Sequence, residues 1–267
     1  MALVPFPGPQ SAYPIPPEDD DDAAGARMSF LEHLDELRKR IVNSLIAVAV
    51  GILITFTFIQ RIYSFLMAPT MQVLPAGSKL MYTEPGEAFS LYITLSMIVG
   101  TIIASPFIMY QVWLFIAPGL YSNEKRLAIP FVLLSTAGLV GGAVFNHYIM
   151  FPWMMRFFAG FNTQDLLFMP KLDSVFSLYT KFLLAMAAVF QMPTLVYFLA
   201  KMKLITARFL AAQFKYAVLI IFILSAVITP TGDPVTQSVF AAPMIGLYLL
   251  GIAIAWIVGP KGKGASL

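Results

Sequence analysis

Cysteine is absent from all 267 residues, which excludes disulfides and thiolate metal sites. Histidine is nearly so: His33 and His147 are the only two, far apart and without a ligand pattern around them, so no metal is expected. Charge is sparse as well. Asp, Glu, Lys and Arg together form 12% of the chain, hydrophobic residues form 59%, and the mean hydropathy is +0.79. That is more apolar surface than one soluble core buries. Nucleotide-binding and catalytic signatures are also missing. The tail Gly259-Pro-Lys-Gly-Lys-Gly264 lacks the Gly-Lys-Ser/Thr ending of a phosphate loop, and neither a zinc-protease helix nor a Ser, His and Asp set is present. Catalytic residues and cofactors are therefore both expected to be none.

What remains is an all-α integral membrane protein. A spanning helix needs about 20 apolar residues, and the apolar runs place six spans at about 41–60, 88–115, 127–151, 174–200, 214–228 and 239–258. The fifth is short: 15 residues reach only about 22 Å, so thinning of the bilayer or shelter by neighbouring helices is expected there. Between the first two spans, the apolar stretch Ile62–Met67 before Pro69 reads as an interfacial segment within a loop. Pro106, Pro130, Pro152, Pro193 and Pro243 lie in or beside apolar runs, and proline tends to kink a helix. The expected spans are therefore kinked.

Residues 1–28 show neither a basic start nor an apolar core, so they are not a secretory signal; six prolines between Pro5 and Pro17, then the acidic run Asp19–Asp22, read as a disordered tail. Order is expected from Ser29, since Ser29-Phe-Leu-Glu32 has the pattern of a capping box. The membrane domain then covers 29–259, and 260–267 form a short basic tail.

Net charge of +3 could suggest nucleic acid, but the basic residues lie between apolar runs rather than in one stripe, so no nucleic-acid partner is expected. They report orientation instead. Arg27, Arg38, Lys39, Arg40, Lys125, Arg126, Lys201, Lys203, Arg208, Lys215, Lys261 and Lys263 fall on one side, twelve in all; Arg61, Lys79, Arg156, Lys171 and Lys181 fall on the other, five in all. Positive residues mark the cytoplasmic side, so both termini are expected there.

Three polar sets stand out. The first is His33-Leu-Asp-Glu-Leu-Arg-Lys-Arg40, where Asp35 with Lys39 and Glu36 with Arg40 have i, i+4 spacing. Taken alone it fits a salt-bridged solvated face. The second runs from Tyr110-Gln-Val-Trp113 through Pro118-Gly119 to Glu124-Lys125-Arg126, and alone it fits an aromatic belt with a basic anchor. The third is the turn Thr229-Pro-Thr-Gly-Asp-Pro-Val-Thr-Gln237, joined by Gln191 inside the fourth span. A turn of that composition needs no function. An amide in hydrocarbon must find partners, so Gln191 is either helix-packing glue or part of a site.

Together, these motifs with Ala68-Pro69 resemble the TatC family, in order and over roughly Ser29 to Gly259. The resemblance implies a receptor and core subunit of the twin-arginine translocase in the bacterial inner membrane. It implies binding of Arg-Arg signal peptides of folded cargo at the cytoplasmic face and recruitment of TatA and TatB type single-span proteins into a higher-order complex. On that basis Glu36, Arg38, Arg40, Phe115, Glu124, Lys125 and Arg126 would bind the signal peptide. Gln191 would be an intramembrane polar site, Thr229 and Gln237 partner-docking positions, and Pro69 and Asp233 structural loop positions. Use of the transmembrane proton gradient is a further implication of the family.

Many relatives carry glutamate where this chain has Gln191, which argues against a titrating acid there. The physics of recognition fits the implied role: a guanidinium pairs bidentately with a carboxylate, whereas lysine offers a point charge. Two acids at a membrane surface could thus separate Arg-Arg from Lys-Lys. A small-solute transporter is the competing reading, and it is disfavoured because no acid lies deep in an apolar run.

Overall fold

The computed structural model describes residues 20–74, 80–116, 127–163, 168–229 and 232–259, with side chains from residue 32 onward. Apart from a one-pair parallel bridge between Met81 and Lys171, the regular elements among these residues are helices. They are α1 (Asp20–Thr57), α2 (Ile59–Met71), α3 (Glu87–Ile116), α4 (Ala128–Phe145), α5 (Phe151–Ala159), α6 (Leu172–Val189), α7 (Met192–Lys201), α8 (Ala207–Ala212), α9 (Phe214–Ile228) and α10 (Pro234–Val258). Residues 1–39 and 40–267 form separate units; the first contributes the start of α1, and the packing below is that of the second.

Five helical stretches are long and apolar enough to cross a membrane: Glu32–Thr57, Glu87–Ile116, Ala128–Ala159, Leu172–Lys201 and Pro234–Val258. The 15-residue α9 falls short of that length, with the bounds expected for the short fifth span. Large apolar side chains cover the outward faces: Leu53 is 71% exposed, Ile129 72%, Val227 79% and Trp256 78%. Such surfaces in a chain of this composition are lipid-facing.

Four boundaries differ from the expectation. Helix α1 begins at Asp20, nine residues before Ser29, so Ser29 is interior and is not a cap. Ala23, Ala24 and Ala26 favour helix there by residue type. Backbone helix thus covers 20–28, within the stretch expected as a tail, while 1–19 and 260–267 lie outside the described residues. Pro69 does not stop α2, which continues to Met71 with the proline ring buried. The third span extends to Ala159 through a π-helical turn at Asn146–Met150. The sixth begins at Pro234 rather than near 239.

Proline accounts for the breaks. Pro193 has no N–H for Val189, and the chain turns at Phe190–Gln191 before α7 restarts with proline in its first turn. Pro152 opens α5 directly after the π-turn, which widens the helix where the ring must fit. Pro106 and Pro243 stand inside the uninterrupted helices α3 and α10.

Glycine brings two pairs of helices into backbone contact. A Cβ on Gly100 would lie 2.6 Å from the amide nitrogen of Ile52, so α1 and α3 touch at Gly51 and Gly100. On α4, a Cβ on Gly142 would lie 2.6 Å from the carbonyl oxygen of Met186 and one on Gly138 2.8 Å from that of Phe190. Gly138 and Gly142 are four apart, the small-xxx-small spacing by which membrane helices approach closely. The main core lies where α2, α3, α5 and α6 meet α10: Met67, Leu95, Phe151, Met154 and Phe182 are buried there, and Phe182 packs edge-on to Phe240 with ring centres 4.3 Å apart. Replacing Gly142 by leucine should therefore split α4 from α6. The expected loss is about 3 kcal/mol or more, above the usual range for overpacking because backbone is struck. Thermal unfolding in detergent measures it, and an unchanged midpoint would refute the close approach.

Candidate functional site

Arg40 stands in α1, and its Nη1 donates to Oε1 of Gln111 on α3 at 3.3 Å. Gln111 is buried, and two residues on, Trp113 packs its ring against Phe131 of α4 at 5.3 Å and Phe198 of α7 at 6.0 Å. Phe131 and Phe198 meet edge-on at 5.0 Å. Trp113 thus ties α3, α4 and α7 together just before the chain leaves α3. Phe115 is half-buried in the last turn of that helix. Glu36 and Arg38 lie on α1 in the first unit, Glu36 half-buried and Arg38 exposed. Glu124, Lys125 and Arg126 lie outside the described residues.

Gln191 sits at the break between α6 and α7. Its Nε2 donates to the backbone carbonyl of Ser135 on α4 at 2.9 Å, beside the glycine contact at Gly138. One of its polar atoms is thus committed to packing. The same holds for the third set. Gln237 Nε2 donates to the carbonyl of Phe222 at 2.7 Å, and Ser225 Oγ donates to that of Gln237 at 2.6 Å, so α9 and α10 are stitched in both directions. Thr229 is buried and donates back to Ser225. Asp233 caps α10: one carboxylate oxygen accepts from the Thr236 amide at 2.8 Å and the other from its hydroxyl at 2.6 Å.

Pro69 is buried in the last turn of α2, where its missing N–H costs one hydrogen bond near a helix end. Two residues with structural or binding weight escaped the sequence reading. Gln111 carried the same signal as Gln191, an amide within an apolar helix. Glu87 stands four residues after Thr83 ahead of an apolar run, close to a capping-box pattern. Its Oε2 accepts from the Thr83 and Glu84 amides at 2.8 and 3.4 Å, and its Oε1 accepts from the Asp173 amide at 2.8 Å, joining the starts of α3 and α6. Among the described residues no group of three His, Cys, Asp or Glu is placed to hold a metal.

The family model for the Sec-independent protein translocase protein, TatC, matches residues 32–243. The chain belongs to the TatC family. The Koribacter versatilis TatC is 41% identical over 241 residues, 88% of each chain, and that of Aquifex aeolicus 37% over 238 residues, 88% of this chain and 98% of that one. A crystal structure of a twin-arginine translocase receptor, TatC, superposes with a TM-score of 0.72 at 38% identity, covering 84% of this chain and 97% of that one. The motif resemblance thus holds over most of the chain. The protein is a multi-pass membrane component of the twin-arginine translocase, a transport subunit and not an enzyme.

Asp233→Ala should lower stability by about 1 kcal/mol, the usual worth of a helix N-cap, and Asp233→Asn should retain most of it. Amide exchange at Thr236 distinguishes a lost cap from a general loosening, because only a lost cap accelerates that amide ahead of the rest of α10.

Proposed function

We propose that this chain receives Arg-Arg signal peptides of folded proteins at the cytoplasmic face and recruits single-span TatA and TatB type partners for their export across the bacterial inner membrane. Glu36 and Glu124 bind the arginine pair, with Arg38, Arg40, Phe115, Lys125 and Arg126 around them. The observation that carries this reading is the Arg40 to Gln111 hydrogen bond. Arg40 follows Glu36 by four residues, Gln111 precedes Glu124 by thirteen, and the bond is anchored by the Trp113 ring cluster. The bond thus joins α1 to α3 at residues that stand, in sequence, within the two motifs that carry these glutamates. Partner helices dock at α9 and α10 near Thr229 and Gln237, where a 15-residue helix leaves the bilayer thin.

The topology proposed has six spans, α9 being the fifth, and both termini in the cytoplasm. Support comes from the basic residues. Lys181 lies nine residues inside α6 and is better counted with the span than with a loop, which sharpens the asymmetry to twelve against four. A reporter fused after Gly232 should read the non-cytoplasmic side, and a cytoplasmic reading there would remove α9 as a span.

The decisive test is affinity of the purified protein in nanodiscs for Arg-Arg and Lys-Lys signal peptides. A charge pair at a wet membrane rim is worth about 1 to 3 kcal/mol, so Glu124→Ala should weaken Arg-Arg binding by about 5- to 150-fold, and Glu36→Ala comparably. Glu124→Lys should be worse, and affinity should fall as salt rises. Equal losses for both peptides, or none, would reduce the glutamates to a solvated surface. We further assign Gln191 to the route of the signal peptide: Gln191→Leu should impair transport at normal abundance, and Gln191→Glu should be tolerated. Loss of folded protein without a separate transport defect would leave Gln191 only its bond to Ser135.

A further inference from the structure

We propose that the cleft between the starts of α3 and α6 binds the headgroup of a phospholipid that carries both a phosphate and a primary ammonium, the chemistry of phosphatidylethanolamine. The cleft holds about 350 Å³ and opens between the two helices. Its charges are ordered by depth. Glu87 and Asp173 stand at the mouth, in the first turns of α3 and α6. Lys181 stands deepest, about 13 Å below the start of α6 at 1.5 Å per residue. Hydroxyls of Ser90 and Thr94 on one wall and Ser177 and Thr180 on the other lie between.

A lysine at that depth in a membrane helix is costly unless something polar meets it, and such residues mark functional sites. Side chains of a helix lean toward its N-terminus, so the Lys181 arm extends back up the cleft toward the hydroxyls. The Thr180 Oγ1 is buried and has no hydrogen-bond partner. A cation at the base, hydroxyls above it and carboxylates at the mouth are the complement of a headgroup whose phosphate lies toward the acyl chains and whose ammonium lies outermost. The oxygens of Glu87 accept from three backbone amides, so it is fixed in place before any ligand arrives.

Other occupants fit less well. An anionic headgroup without an ammonium meets two carboxylates at the mouth. A choline headgroup has no N–H to donate to them. The acyl chains of the bound lipid run on over exposed apolar residues further along α3, such as Met97 and Ile103.

The test is native mass spectrometry of the full chain in detergent, titrated with phosphatidylethanolamine, phosphatidylcholine and phosphatidylglycerol of matched acyl chains. Phosphatidylethanolamine should be retained best. Lys181→Gln should weaken its retention by about tenfold or more, the factor for one charged hydrogen bond. Asp173→Asn should narrow the preference for ethanolamine over choline, and Ser177→Leu, which fills the cleft, should abolish retention without a new charge. Thermal unfolding in lipid-free micelles identifies variants that remain folded, and the three variant comparisons are read on those. Soluble glycerophosphoethanolamine should not compete at equal concentration; if it does, the ligand is not a membrane lipid. Equal retention of all three lipids, or retention unaffected by both Lys181→Gln and Ser177→Leu, would overturn the site and leave Lys181 for a carboxylate on a partner protein. None of these readouts uses a signal peptide, so the result stands apart from the receptor assignment.

Discussion

In hydrocarbon no water is available to satisfy a bare amide or carbonyl, and each one left unpaired costs several kcal/mol. The described part of this protein follows from that constraint. Its spans are helical, and its irregular backbone is confined to places where protein lies alongside. The break at Phe190–Gln191 is set against Gly138 of α4, and the π-turn at Asn146–Met150 buries Asn146, His147 and Met150. Proline is tolerated at both because neighbouring helices surround the backbone it disrupts.

Cross-helix amide bonds recur with a common geometry. Gln111 accepts from Arg40, Gln191 donates to Ser135, and Gln237 donates to Phe222. Each glutamine joins its own helix to another, and each stands at a helix end or break. In membranes such bonds are individually modest, about 0.6 kcal/mol on average. Their larger effect is on register: an amide that has one partner within reach fixes how far one helix slides along the next. The glycine contacts at 51, 100, 138 and 142 then let the backbones close around those fixed points.

The number and placement of apolar runs were legible in the sequence, because a lipid-facing helix declares itself by length and composition; even the short α9 was bounded correctly. Helix starts were less legible. Asp233 and Pro234 read as turn residues when they cap and open α10, and Ser29 read as a cap when helix had already begun in the acidic run before it. Both errors come from local chemistry that serves turns and helix starts alike. The motif residues of the proposed site were named by resemblance, but the bonds that hold the helices carrying them were not legible. Gln111 and Glu87 act through partners 71 and 86 positions away in sequence, a relation that no local pattern carries.

The contact of Gly51 with Gly100 has a mechanical meaning when set beside the bond between Arg40 and Gln111. Arg40 lies eleven residues from Gly51, and Gln111 lies eleven residues from Gly100. Because α1 and α3 run in opposite directions, the two pairs stand at matching distances along both helices, like the rivet and the tips of scissors. The arms are about 16 Å long, so opening the crossing by about 5° would part the tips by about 1.4 Å. That is enough to break a 3.3 Å hydrogen bond while the glycines stay in contact. The tightest packing in this helix pair is thereby the point from which a small rotation would be felt most at Arg40 and Gln111.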